Sequence, residues 1–158
     1  MATTTATITL ASTDIADNAL SISNTMTMTT AGTTTGLSET TGLARKKIAS
    51  ATEVDLITAV NTDVTALKSA KVYIKNTGAA TDKYATIGIG QAAGTPIYIG
   101  RLYGGDWMLF PWNAVLQDAG GYAASIIDGG GDHADNHDIT IQMNDATETV
   151  IEYMVFFE

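Results

Sequence analysis

The chain contains no cysteine, which excludes a disulfide framework, a thiolate metal site and a cysteine nucleophile. Basic residues are scarce: eight Lys and Arg stand against seventeen Asp and Glu, for a formal net charge of −9. A surface so poor in cations is ill suited to neutralising phosphates, so nucleic acid is not expected as a partner. No stretch approaches the roughly 20 consecutive apolar residues of a membrane-spanning helix. The start MATTTATITLAS has neither the basic region nor the apolar run of a secretory leader, so a soluble, unprocessed chain without a membrane partner is expected. The chain has only two histidines and two prolines. No G-x-S-x-G elbow is present to hold a serine nucleophile. GIGQAAG, Gly88 to Gly94, follows a strand pattern without opening a helix, so it does not supply the helix N-terminus that captures phosphate. Paired carboxylates can always be imagined among seventeen acids and carry no weight alone. The expectation is a protein that is not an enzyme and holds no cofactor.

What is present is threonine, alanine, serine and glycine. With 45% apolar and only 16% charged residues, the surface has to be covered largely by neutral hydroxyls. Threonine is β-branched, enters a pleated strand at little cost, and can bond across to a neighbouring strand. A length of 158 residues suits one core. The composition therefore predicts an all-β chain, an antiparallel β-sandwich or jelly roll, with an extended Thr-rich N-terminal arm. The division drawn from the sequence is 1–44 for arm and connector and 45–158 for the body.

The arm has no aromatic anchor and, before the basic cluster, no Lys or Arg. Leu20, Ile22, Met26 and Met28 fall at even positions with Ser and Thr between them, the period-2 pattern of a half-buried strand, and Asn24 interrupts the apolar row. Two readings fit: strands of the main sandwich, or an arm that pairs with another chain. TTTGLSETTGLARKKI, Thr33 to Ile48, reads as glycine-marked turns leading into Arg45, Lys46 and Lys47, the only dense basic cluster. Such a triplet protects a sheet edge from unwanted pairing or docks on an acidic partner.

Beyond Ala51 the strand signals are regular. TEVDLITAV, AKVYIKN, KYATIGIG, PIYIGRLY with DWMLFPW, and HDITIQMN with ETVIEYMVFFE give eight or nine strands over the chain. NTDVTALKSA suits one short helical turn. Gly104-Gly105 and the turn around Asn144, Asp145 and Ala146 are predicted to close hairpins. Gly88 and Gly90 share a face where another element can approach closely.

Two clusters are candidates for function. DGGGDHADNHD, Asp128 to Asp138, gathers hard oxygen ligands and both histidines, so Asp132, His133, Asp135 and His137 are the candidates if a metal binds. It matches no complete motif, and Gly, Asp and Asn are also what tight turns select, so a polar loop without metal is expected. The second cluster is IGRLYGGDWMLFPWNAV, Ile99 to Val115, with both tryptophans. Alternation puts Trp107, Leu109 and Pro111 on one side and Met108, Phe110 and Trp112 on the other, so both faces of this strand need cover. That cover comes from a second sheet or loop of the chain, or from another subunit. A third use is a sugar platform formed by Tyr103, Trp107 and Trp112.

A Thr-rich amino-terminal arm, the TTTGLSETTGLARKK connector, a β-rich body carrying GRLYGGDWMLFPW and the terminal strand TVIEYMVFFE together resemble the small virion structural proteins of tailed bacteriophages, in particular capsid decoration or cement proteins. The resemblance implies a β-sandwich or jelly-roll body that binds the major capsid protein on the outer surface of an assembled virion, clusters with itself as a homotrimer, and reaches neighbours through its arm. A tail or head-fibre component and a carbohydrate-binding adhesion module are the alternatives. The interface residues expected on this reading are Leu20, Ile22, Met26 and Met28 in the arm, the basic Arg45, Lys46 and Lys47, and Tyr103, Trp107, Met108, Phe110 and Trp112 in the aromatic segment.

Overall fold

The computed structural model describes residues 3–12, 20–29, 39–49, 51–58, 70–79, 82–90, 96–112 and 138–157. The chain divides into two compact units, residues 1–40 and Thr41–Phe157. The short helical turn expected between Asn61 and Ala70 and the Asp128–His137 stretch lie outside the described residues.

In the first unit, alternating Thr and apolar residues form two strands of equal length, β1 (Thr3–Ser12) and β2 (Leu20–Thr29). They pair antiparallel over their whole length as a separate two-stranded sheet, so the expected arm is a hairpin. A two-residue strand, β3 (Glu39–Thr40), ends this unit.

The second unit has eight principal strands: β4 (Ala44–Ile48), β5 (Val54–Ile57), β6 (Ala70–Asn76), β7 (Tyr84–Ile89), β8 (Ile97–Tyr103), β9 (Trp107–Trp112), β10 (Ile139–Met143) and β11 (Thr149–Phe157). They build two antiparallel sheets, in the orders β5-β10-β7-β8 and β4-β11-β6-β9. Only β7 and β8 are consecutive neighbours within one sheet, and every other connection crosses to the opposite sheet. This is the order of an eight-stranded jelly roll.

The sequence alternation decides which side chains fill the space between the sheets. Val72 and Ile74 of β6 lie opposite Val155 and Tyr153 of β11 and opposite Phe110 and Met108 of β9, so one row of each strand faces inward. Ala85 and Ile87 of β7 match Met143 and Ile141 of β10 in the same way. These inward rows, with Ile48, Leu56, Leu102 and Trp112, form one buried apolar cluster. Each fully buried Ile or Val contributes about 1.5–3 kcal/mol to folding.

Two expected hairpins are instead corners between the sheets. Gly104-Gly105 does make a tight turn, with Gly105 at φ +90° and the Asp106 amide bonded to the Tyr103 carbonyl at 2.9 Å. Yet the Gly105 amide donates to the Asn76 carbonyl at 2.9 Å and the Asn76 amide to the Asp106 carbonyl at 3.0 Å, which ties the turn to the end of β6. The chain therefore leaves β8, which pairs with β7, and enters the other sheet as β9. The turn after β10 is fastened likewise. The Asn144 side chain accepts from the Tyr84 amide and donates to the Asp82 carbonyl, Asp145 pairs with Lys83, and β11 emerges in the opposite sheet.

Glycine at position 88 meets the close approach expected of it. A Cβ there would lie 2.7 Å from Thr140 Oγ1 and 3.3 Å from the Tyr98 ring.

Candidate protein-binding face

The outward side of the β4-β11-β6-β9 sheet collects residues that are far apart in the sequence. In β6, the alternation that sends Val72, Ile74 and Asn76 inward turns Lys71, Tyr73 and Lys75 outward. Register places Tyr73 opposite Leu109, Lys75 opposite Trp107 and Lys71 opposite Pro111 on β9. On the other side, β11 offers Glu152 and Met154 opposite Lys75 and Tyr73. At the edge, β4 adds Arg45 opposite Glu152 and Lys47 opposite Val150.

Trp107, the first residue of the edge strand β9, is the exposed ring of this face. Its side chain remains 48% accessible and its ring stands 6.2 Å from that of Tyr73, tilted by 36°. Burial, and after it the nearby Glu152 carboxylate, pushes the Tyr73 phenol above its ordinary pKa, so the hydroxyl stays protonated. Phe156 also falls in the outward row, opposite Lys71, and is nonetheless buried.

Lys71 and Lys75 flank Tyr73 on β6, and Arg45 and Lys47 lie on β4 at the opposite edge; together they are four of the eight basic residues in the chain. Arg45 meets Glu152 at 2.6 Å and Lys47 meets Glu148 at 2.8 Å. Exposed pairs of this kind add little to folding, so stability does not account for concentrating cations here. Their arrangement gives an acidic chain a face on which aromatic rings of β6 and β9 share one sheet with basic residues of β6 and β4. Trp, Tyr and Arg are the residue types that dominate binding energy when such a surface is covered.

The remaining candidates from the sequence are dispersed. Met108, Phe110 and Trp112 point into the jelly roll: Trp112 is 5% exposed, and the other two pack against the same core. The face of β9 that carries them is thus covered by the second sheet of the chain itself, while the Trp107 side is not. Lys46 sits between its two basic neighbours but donates to the Asp55 main-chain carbonyl at 2.7 Å. Tyr103 lies on the other sheet, paired with Tyr84 at 5.3 Å. Ile22 and Met26 belong to β2 of the hairpin, as do Leu20 and Met28, which are in register with Ser12 and Thr4. Asp132, His133, Asp135 and His137 fall outside the described residues; among the described residues no group of three or more potential ligands gathers.

A second feature is an open groove of about 560 Å³ on the outward side of the β5-β10-β7-β8 sheet. Tyr84, Tyr98, Arg101 and Gln142 line it, with the Arg101 guanidinium 4.7 Å from the centre of the Tyr84 ring. The Gln142 amide donates to the Ala51 carbonyl at 2.6 Å. Burial pushes the carboxyl of Glu53 above its ordinary pKa, opposed in part by the Thr140 and Tyr98 hydroxyls beside it.

Tyr73, Lys71, Lys75 and Leu109 carry this face without having been singled out in the sequence. Their alternation was visible in AKVYIKN and DWMLFPW, but nothing local says that β6 and β9 are neighbours. Compared with known families, curated proteins and solved structures, the chain matches none.

Proposed function

We propose that this chain is a structural virion protein, a decoration or cement subunit that binds the outer surface of an assembled capsid through the outward face of β4-β11-β6-β9. The observation that carries the reading is the segregation of Trp107 and Tyr73 with Arg45, Lys47, Lys71 and Lys75 on one sheet of a chain whose net charge is −9. A face that sets aromatic rings beside basic residues is complementary to an acidic, partly apolar partner, and the acidic remainder of the molecule repels that partner in other orientations. A subunit that binds only the assembled lattice stabilises it by mass action, and many copies on one shell add their contacts through multivalency. Jelly rolls recur in capsid proteins, which agrees with the reading at the level of fold analogy.

The test is co-sedimentation of the purified chain with capsids of the virus whose genome encodes it. Saturable binding at hundreds of copies per particle supports the reading, whereas a few copies or a few dozen indicate a tail or fibre position. Absence of binding contradicts it.

A second reading has an observation of its own. The groove combines the exposed Tyr98 ring, the half-buried Tyr84 ring with the Arg101 guanidinium over it, and the Gln142 side chain, groups that can stack on and hydrogen-bond a sugar. A carbohydrate-binding role would use these residues. The platform drawn from the sequence is not available, because Trp112 is buried and Trp107 and Tyr103 lie on different sheets. Glycan binding abolished by Tyr98→Ala would favour this reading.

A further inference from the structure

The groove on the outward side of the β5-β10-β7-β8 sheet is charged at one point only. Among the described residues that line it, Arg101 alone carries a charge. Its guanidinium lies 4.7 Å from the centre of the Tyr84 ring, and Tyr84 in turn meets the Tyr103 ring at 5.3 Å. A guanidinium seated on a ring gives up rotamer freedom before any ligand arrives, so less is lost when it forms hydrogen bonds. No carboxylate among the described residues forms an ion pair with Arg101; Asp145, next in sequence to the lining residue Asn144, pairs with Lys83 instead.

The lining restricts which anion this cation can take. A phosphate monoester carries close to two charges and calls for several cations or backbone amides, and among the described residues no second cation lines the groove. A carboxylate carries one charge and matches the guanidinium fork with two parallel hydrogen bonds. The rest of the lining suits a sugar ring that bears it. Tyr98, 55% exposed, offers a ring face, and Gly88 lets that ring lie close over the sheet, since a Cβ there would press on it at 3.3 Å. The Gln142 and Asn144 amides are anchored, the first on the Ala51 carbonyl at 2.6 Å, the second between the Tyr84 amide and the Asp82 carbonyl. The volume of about 560 Å³ is that of a small-ligand site.

We infer that the groove is a subsite for a sugar acid, in which the Arg101 guanidinium pairs with the carboxylate of a hexuronate residue while the sugar ring packs on Tyr98. The inference rests on the carbohydrate reading of this groove and narrows it from sugars in general to those that carry a carboxylate. It is independent of the Trp107 face, which belongs to the other sheet.

The test is calorimetric titration of the full chain with oligosaccharides ending in glucuronate, galacturonate or mannuronate, each beside the same compound with its carboxyl reduced to a primary alcohol. The preferred acid is expected to bind at least about tenfold more tightly than its alcohol at low salt, with the ratio shrinking as NaCl is raised. Arg101→Gln is expected to bring the acid down to the affinity of the alcohol while leaving the alcohol's own affinity unchanged, which separates loss of the charge from loss of the fold. Arg101→Lys keeps the charge without the fork and retains only part of the ratio. Tyr98→Ala weakens acid and alcohol alike. Equal binding of acid and alcohol, or a preference that survives Arg101→Gln, overturns the inference and leaves the carbohydrate reading standing. Binding of no member of the panel, acid or alcohol, overturns both.

Discussion

Asn76, fully buried at the end of β6, donates from Nδ2 to the Leu102 carbonyl of β8 at 3.0 Å, a polar tie between the two sheets of the jelly roll. Its Oδ1 accepts from the Gly78 amide at 2.9 Å, and its main chain holds the Gly105–Asp106 corner. Asn76→Ala leaves the Leu102 carbonyl and the Gly78 amide without these partners. The expected loss is about 2–3 kcal/mol in urea unfolding, by the cost of orphaning buried polar groups. A loss smaller than about 0.5 kcal/mol would show that the corner does not depend on this side chain.

The two tryptophans are predicted to behave oppositely. Trp112→Ala opens a cavity in the shared core and costs about 3–5 kcal/mol, whereas Trp107→Ala costs less than about 1 kcal/mol. In a Trp112→Phe chain the remaining emission, from the 48% exposed Trp107, is quenched readily by acrylamide. In a Trp107→Phe chain the buried Trp112 is shielded.

Gly88→Ala is expected to destabilise by about 1–3 kcal/mol, because overpacking forces a shift in its surroundings. The added Cβ meets Thr140 Oγ1 at 2.7 Å and the Tyr98 ring at 3.3 Å. Thermal melts of Gly88→Ala alone and with Thr140→Ala check this: the second substitution removes the nearer obstacle and recovers part of the loss.

Glu53 makes a signed pH prediction. Its carboxyl is raised in the folded chain by burial, so the folded state binds this proton more tightly than the unfolded state. Stability from this group therefore falls as pH rises from the ordinary carboxyl value of 4.5 through the raised folded value. Glu53→Gln removes that slope: its melting temperature is expected to exceed the wild type's near neutrality, with the gap closing as pH drops below the window. A gap that does not change with pH would remove the assignment.

The strands were legible because period-2 alternation is local. Val72 and Ile74 against Lys71, Tyr73 and Lys75, and Ile151 and Val155 against Glu152, state their burial in the sequence itself. The jelly-roll order was not legible, since Gly104-Gly105 and Asn144–Ala146 carry turn chemistry that serves a hairpin and a sheet-crossing corner equally well. The deciding bonds, from the Gly105 amide to Asn76 and from Asn144 to Tyr84 and Asp82, join residues distant in the chain. The same limit applies to the candidate face. Trp107 and Arg45 were apparent individually, but their place on one surface depends on the order β4-β11-β6-β9.

Binding through that face is predicted to weaken with salt, as expected for basic residues meeting an acidic partner. Lys75→Glu should slow association more than dissociation, and Trp107→Ala should mainly speed release, because rim charges steer encounter and buried rings hold the complex. The measurement closest to the central claim is an electron cryomicroscopy map of capsids saturated with the chain. The account predicts that the outward face of β4-β11-β6-β9 is seated on the shell with Trp107 enclosed in the contact. Bound subunits with Trp107 open to solvent, or capsids left bare at saturating concentration, would contradict it.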